Sequence, residues 1–99
     1  MTYTMENQIL RVQADTNGAE LTSILHKATG WELLWQADPA VWNRHSPLLF
    51  PYCGVVKDGR FRIGDKEGFG GRHGFARDME HTFLGQEEDR LRFELRSSA

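Results

Sequence analysis

Apolar and polar residues alternate in short runs through most of this chain, and a helical period of about 3.6 residues never persists beyond a turn or two. Alternation predicts strands with one buried and one wet face. The cleanest run is near the end, where Leu91, Phe93 and Leu95 alternate with Arg90, Arg92, Glu94 and Arg96. Gln8 to Gln13 and Ala19 to His26 predict two more strands. Asn17-Gly18 between them has the composition of a type I′ hairpin turn, which needs positive φ at both corners. Thr29-Gly30 marks the next turn and Trp31 to Trp35 the next strand, so this part reads as an antiparallel meander. Asp38 to Trp42 predicts a single helical turn, with Asp38 as its cap and Pro39 at the first helical position. Pro47 and Pro51 bracket Leu48-Leu49-Phe50 and exclude a central strand over that whole segment. Asp58-Gly59 and Gly64-Asp65 punctuate a short hairpin carrying Phe61 and Ile63.

Composition narrows the class. A chain of 99 residues is one domain, residues 1–99, with a thin margin of buried surface. A formal charge of −2 and a pI near 6.0 argue against a dedicated nucleic-acid binder, which carries a basic stripe. No apolar run approaches the ~20 residues that a membrane-spanning helix needs. Met1 to Glu6 lacks a charged-then-apolar leader pattern, and the single Cys53 cannot form an internal disulfide, so a cytoplasmic location is expected. Cys53 itself is expected to be a small buried hydrophobe.

The candidate chemistry lies in His73-Gly74-Phe75-Ala76-Arg77-Asp78, just after Gly68-Phe69-Gly70-Gly71-Arg72. Six residues hold an imidazole able to move protons near neutral pH, a planar cation suited to oxyanions and hydroxyls, and a carboxylate. The bland alternatives are a hydrogen-bonded structural histidine and a pairing of Arg77 with Asp78 or Glu80. Gly68, Gly70 and Gly71 lack the spacing of a phosphate-binding loop, and turn geometry is their expected job. His26, His45, His73 and His81 are not spaced with cysteines as zinc ligands, so no metal is expected. Trp31, Trp35 and Trp42 offer faces for a sugar ring, although core packing is the stronger expectation for Trp35.

Five blocks in order carry a resemblance: Gly18 to Ile24, Leu34 to Pro39, Trp42 to Pro51, Lys57-Asp58-Gly59 and His73 to Asp78. Together they resemble the aldose 1-epimerase family, and within it the lactose-operon-associated branch of galactose-mutarotase-like proteins. The resemblance implies an all-β fold, an antiparallel β-sandwich of the supersandwich type with a sugar site on one concave face. It implies interconversion of the α and β anomers of a hexose or hexose phosphate. A base takes the C1 hydroxyl proton while an acid protonates the ring oxygen, with no metal or other cofactor. It makes His73 the first active-site histidine and Arg44 and Arg77 sugar-binding residues, Arg44 on a looser match.

Members of that family are several-fold longer, and their second histidine and glutamate base match nothing here. The chain is therefore expected to be an N-terminal part of the sandwich. The strand carrying Leu91 to Leu95 is expected to leave an edge open to self-association. A carbohydrate-binding domain without turnover, and an inactive fragment, remain alternatives to an isomerase.

Overall fold

Short runs of β-branched and aromatic residues, cut by glycine and asparagine turns, form eight antiparallel strands in the computed structural model, which describes residues 1–97. The first sheet has the order β1 (Thr2–Glu6), β2 (Leu10–Asp15), β3 (Glu20–His26), β4 (Trp31–Glu32). Two hairpins follow, β5 (Arg60–Ile63) with β6 (Lys66–Phe69), and β7 (Thr82–Glu87) with β8 (Arg90–Glu94). Helical structure among the described residues is limited to two 3₁₀ turns, Lys57–Gly59 and Ala76–Asp78. No described helix is long and apolar enough to cross a membrane.

Side-chain hydrogen bonds to the backbone explain where the strands depart from expectation. The alternation did not suggest β1, yet Thr2 to Glu6 pairs along its whole length with Asp15 to Arg11. Asn7 Oδ1 accepts from the N–H groups of Ile9 and Leu10 at 2.7 and 2.8 Å. That local turn moves the start of β2 from the expected Gln8 to Leu10. The strand expected over Trp31 to Trp35 stops at Glu32. Glu32 Oε2 accepts from Leu34 N–H at 3.0 Å, which takes that donor out of any ladder. Asn17-Gly18 does not form the expected type I′ corner either. Positive φ falls on Gly18 (76°) and Ala19 (48°), because Asn17 bridges to Glu80 across the molecule. The Asp38 turn forms as expected, with Val41 and Trp42 N–H both donating to Asp38 O at 2.9 Å.

Two aromatic clusters tie the pieces together. Tyr3 on β1 stacks on Phe83 of β7 at 3.7 Å between ring centres, and Phe93 of β8 meets both rings edge-on. Phe61 of β5 packs between Tyr52 and Phe75. Such pairs add about 0.5–1.5 kcal/mol each beyond the area they bury. The expected turn role holds for Gly71, whose carbonyl accepts from Gly74 N–H at 3.3 Å, and is corrected for Gly68 and Gly70. None of Gly68, Gly70 and Gly71 has positive φ; Gly68 lies under the Phe61 ring and Gly70 against the Tyr52 hydroxyl, leaving no room for a Cβ.

The interior is slight. Among the described residues only Ala14 and Ala76 are fully buried hydrophobics, while Phe50, Val55, Ile63 and Phe69 are exposed. Trp35, expected in the core, is 42% exposed, and Cys53 is exposed as well. The body is a slab of 51 × 34 × 17 Å with a radius of gyration of 15.9 Å. A closed domain of about 100 residues has a radius near 13 Å. Leu91, Phe93 and Leu95, expected as the buried face of one strand, are half-buried, and β8 ends at Glu94 before Leu95. Too little polypeptide covers this face to bury it.

Candidate functional site

The segment from His73 to His81 is stitched into place from both sides by backbone hydrogen bonds. On one side, His73 N–H donates to Gly54 O at 2.6 Å, and the N–H groups of Phe75 and Ala76 both donate to Phe50 O. On the other, Gly18 N–H donates to Met79 O and His81 N–H to Thr16 O, each at 2.7 Å. Two glycines make these approaches feasible. A methyl group at Gly74 would overlap the Phe50 carbonyl, and one at Gly18 would overlap the Arg77 carbonyl. Both have a φ of 76°, which disfavours any side chain. Thr16 Oγ1 adds a hydrogen bond to Glu80 Oε1.

His73 sits in the left-handed region with φ 63°. Such a conformation costs a non-glycine residue roughly 1–2 kcal/mol, and the surrounding bonds hold it there. Its half-buried ring is fixed too, since Nδ1 accepts from Gly54 N–H at 2.8 Å. An acceptor at Nδ1 puts the proton of the neutral ring on Nε2. Nε2–H is then a donor with no partner among the described residues. His81 has the opposite arrangement. It is 7% exposed, and its Nδ1 lies 2.9 Å from Met79 O, an acceptor that requires the proton on Nδ1.

The two arginines meet at one carboxylate. Arg44 Nη2 lies 2.7 Å from Asp78 Oδ1, and Arg77 Nε lies 3.8 Å from Asp78 Oδ2. Arg77 Nε is the one buried side-chain nitrogen or oxygen among the described residues without a hydrogen-bond partner. The bland pairing of Arg77 with Asp78 is thus present but long, and Glu80 is engaged by Thr16 instead. His73 lies four residues before Arg77 on the same segment and hydrogen-bonds to neither arginine. No group of three or more His, Cys, Asp or Glu among the described residues is placed to hold a metal ion.

Sequence patterns missed Gly54 and Glu20. Glu20 Oε1 accepts from the N–H groups of His45 and Ser46 at 2.7 and 3.0 Å, fixing the backbone next to Arg44. Ser46 Oγ also donates to Leu21 O at 3.0 Å. The available signal was an acidic residue directly after the Gly18-Ala19 corner. Its partner lies 25 residues away, which no local pattern encodes.

The family described as aldose 1-epimerase matches residues 1–99. Protein LacX (chromosomal) of Lactococcus lactis subsp. lactis is 41% identical over all of this chain and 34% of its own length. A galactose mutarotase related enzyme from Lactobacillus acidophilus superposes with a TM-score of 0.90 at 35% identity, covering 99% of this chain and 33% of that one. A galactose mutarotase-like protein from Lactobacillus casei ATCC 334 gives 0.84 at 34% identity, over 94% of this chain and 32% of that one. The chain therefore has the all-β galactose mutarotase-like fold and spans about a third of the length of these relatives.

Proposed function

The chain belongs to the aldose 1-epimerase family, and from that premise we propose that its protein interconverts the α and β anomers of a hexose or hexose phosphate, with His73, Arg44 and Arg77 forming part of the sugar site. The observation that carries the reading is the His73 ring, held by Gly54 so that Nε2–H is the free donor. Such a donor suits the ring oxygen or the C1 oxygen of a pyranose. In the reaction a base removes the C1 hydroxyl proton, an acid delivers a proton to the ring oxygen, and the bond from C1 to that oxygen breaks. The aldehyde rotates and the ring closes on its other face. Arg44 and Arg77 would take sugar hydroxyls or a phosphate, and Asp78 holds them paired beforehand.

The same ring favours a second reading, sugar binding without turnover. Cycling a proton through Nδ1 would require giving up the bond from Gly54 N–H, so His73 is better built to donate and orient than to shuttle. Each acid or base group contributes about 10²–10⁴-fold to such reactions. The 99-residue chain alone is therefore expected to turn over fresh α-D-galactose or α-D-glucose no faster than buffer, as read by polarimetry. Saturation-transfer NMR with D-galactose should nonetheless show contact that His73→Ala removes. Equal contact in that variant would take His73 out of the site.

A further inference from the structure

We propose that Glu20 is a positioning residue that sets the spacing of the Arg44–Asp78–Arg77 cluster, a deepening that rests on the reading of Arg44 and Arg77 as sugar contacts. The corner between β2 and β3 touches both arms of that cluster. Gly18 receives the Arg77 carbonyl so closely that no Cβ fits, and its N–H is held by Met79 O at 2.7 Å. Two residues on, the Glu20 carboxylate binds the consecutive N–H groups of His45 and Ser46, the residues that follow Arg44. The His45 ring nitrogen Nδ1 lies 3.9 Å from the same oxygen. Glu20 is 14% exposed and His45 23%, so this contact is partly shielded from competition by water.

One short corner thus fixes Arg77 through its backbone and Arg44 through a carboxylate. Asp78 then closes the set by pairing with the Arg44 guanidinium at 2.7 Å. Bonds from a charged acceptor to two adjacent amides are stronger than neutral ones and directional. They hold the Arg44 Cα where its side chain reaches Asp78. Removing Glu20 leaves segment 44–46 tied to β3 only through Ser46 Oγ and Leu21 O, and lets Arg44 drift from Arg77 while the strands on either side keep their register. Hydroxyl or phosphate recognition by a pair of arginines depends on their separation, so affinity should fall without loss of either arginine.

The test uses the 99-residue chain and NMR. In the unaltered chain the Arg44 Nη–H signals should be resolved from those of exposed arginines, and the His45 and Ser46 amides should lie downfield. Glu20→Ala should collapse the Arg44 signal into the exposed set and weaken D-galactose binding about tenfold or more. Val12→Ala, which destabilises β2 away from this cluster, should leave both unchanged. A resolved Arg44 signal in folded Glu20→Ala would overturn the proposal. If Glu20→Ala does not fold, Glu20→Gln decides. Gln keeps one acceptor oxygen, so Arg44 should stay resolved while the two amides move upfield, and amides that do not move would overturn the carboxylate contact. If the unaltered chain shows no galactose contact, the reading of the sugar site fails, and the Arg44 signal still decides the role of Glu20.

Discussion

The sheet β1 to β4 and the segment His73–His81 are held by backbone hydrogen bonds of the same kind, yet they differ in what a single residue is worth. In the sheet, each strand is paired by a run of neighbouring bonds, and register follows from the alternation of side chains. The site segment is held by isolated bonds to Thr16, Gly18, Phe50 and Gly54, residues 19 to 65 positions away along the chain. A ladder tolerates a local fault because adjacent rungs keep the strands together. Isolated long-range bonds have no neighbours to share the load. The comparison teaches that the candidate-site segment, not the sheet, is the vulnerable part of this molecule.

Glycine substitutions put the largest stress on that contrast. Gly74→Ala and Gly18→Ala meet both a positive φ and a carbonyl with no room for a methyl group. Each should cost roughly 2–5 kcal/mol, the sum of left-handed strain and overpacking. Gly30→Ala in the β3–β4 turn has φ 72° but open space around its Cβ. It should cost only about 1–2 kcal/mol. Denaturant midpoints of the three variants would measure this, and equal losses would erase the distinction between the two regions.

The second test concerns the face that neither region covers. Phe50, Leu48 and Leu49 are 58%, 45% and 43% exposed, beside the half-buried Phe93 and Leu95. The second edge of β8 has no strand partner among the described residues. We propose that the isolated chain self-associates here, since full burial of such side chains is worth about 1.5–3 kcal/mol each. Sedimentation should show species larger than a monomer, and Leu49→Lys should shift them towards monomer. A clean monomer with strong amide protection through Arg90–Glu94 would show that the sheet face needs no cover.

The smallest expected effect is on pH. Burial pushes the Glu32 carboxyl upward, but the Ser23 hydroxyl, the N–H groups of Ile24 and Leu34 and the charge of Arg11 pull harder, and its pKa ends below the ordinary 4.5. Asp15 is likewise below 3.8, chiefly through the Asn17 N–H, with burial opposing and the N-terminal ammonium assisting. A carboxyl whose pKa is lower folded than unfolded contributes stability that is fully present above the unfolded value. That contribution is lost as pH falls through the folded value. Stability should therefore be steady above pH 4.5 and decline as pH falls below it, more steeply than in Glu32→Gln. A Glu32→Gln profile parallel to that of the unaltered chain would mean that Glu32 does not anchor the β3–β4 turn.

Much of the strand map was legible because it is local. Alternation located β3 and β8 to within a few residues, Gly64-Asp65 was the turn between β5 and β6, and Asp38 capped its turn. The missed strand β1 had a usable signal in Thr2-Tyr3-Thr4, whose β-branched and aromatic residues favour strands. The site segment was also legible as residue types, since an imidazole, a cation and a carboxylate among glycines cluster along the chain itself.

Only the tertiary structure decided what those groups do. The Nε2–H of His73 is presented because Gly54, nineteen residues earlier, bonds to Nδ1. Arg44 and Arg77 both reach Asp78, and the corner of Gly18 and Glu20 touches the two distant segments that carry them. The shift of positive φ from Asn17 to Ala19, and the use of Gly68 and Gly70 as floors beneath aromatic rings, have the same origin. Local sequence sets the conformations a residue tolerates and the hydrogen bonds it can offer. Which of them are used depends on contacts between segments far apart in the chain, and those exist only once the sheets have packed.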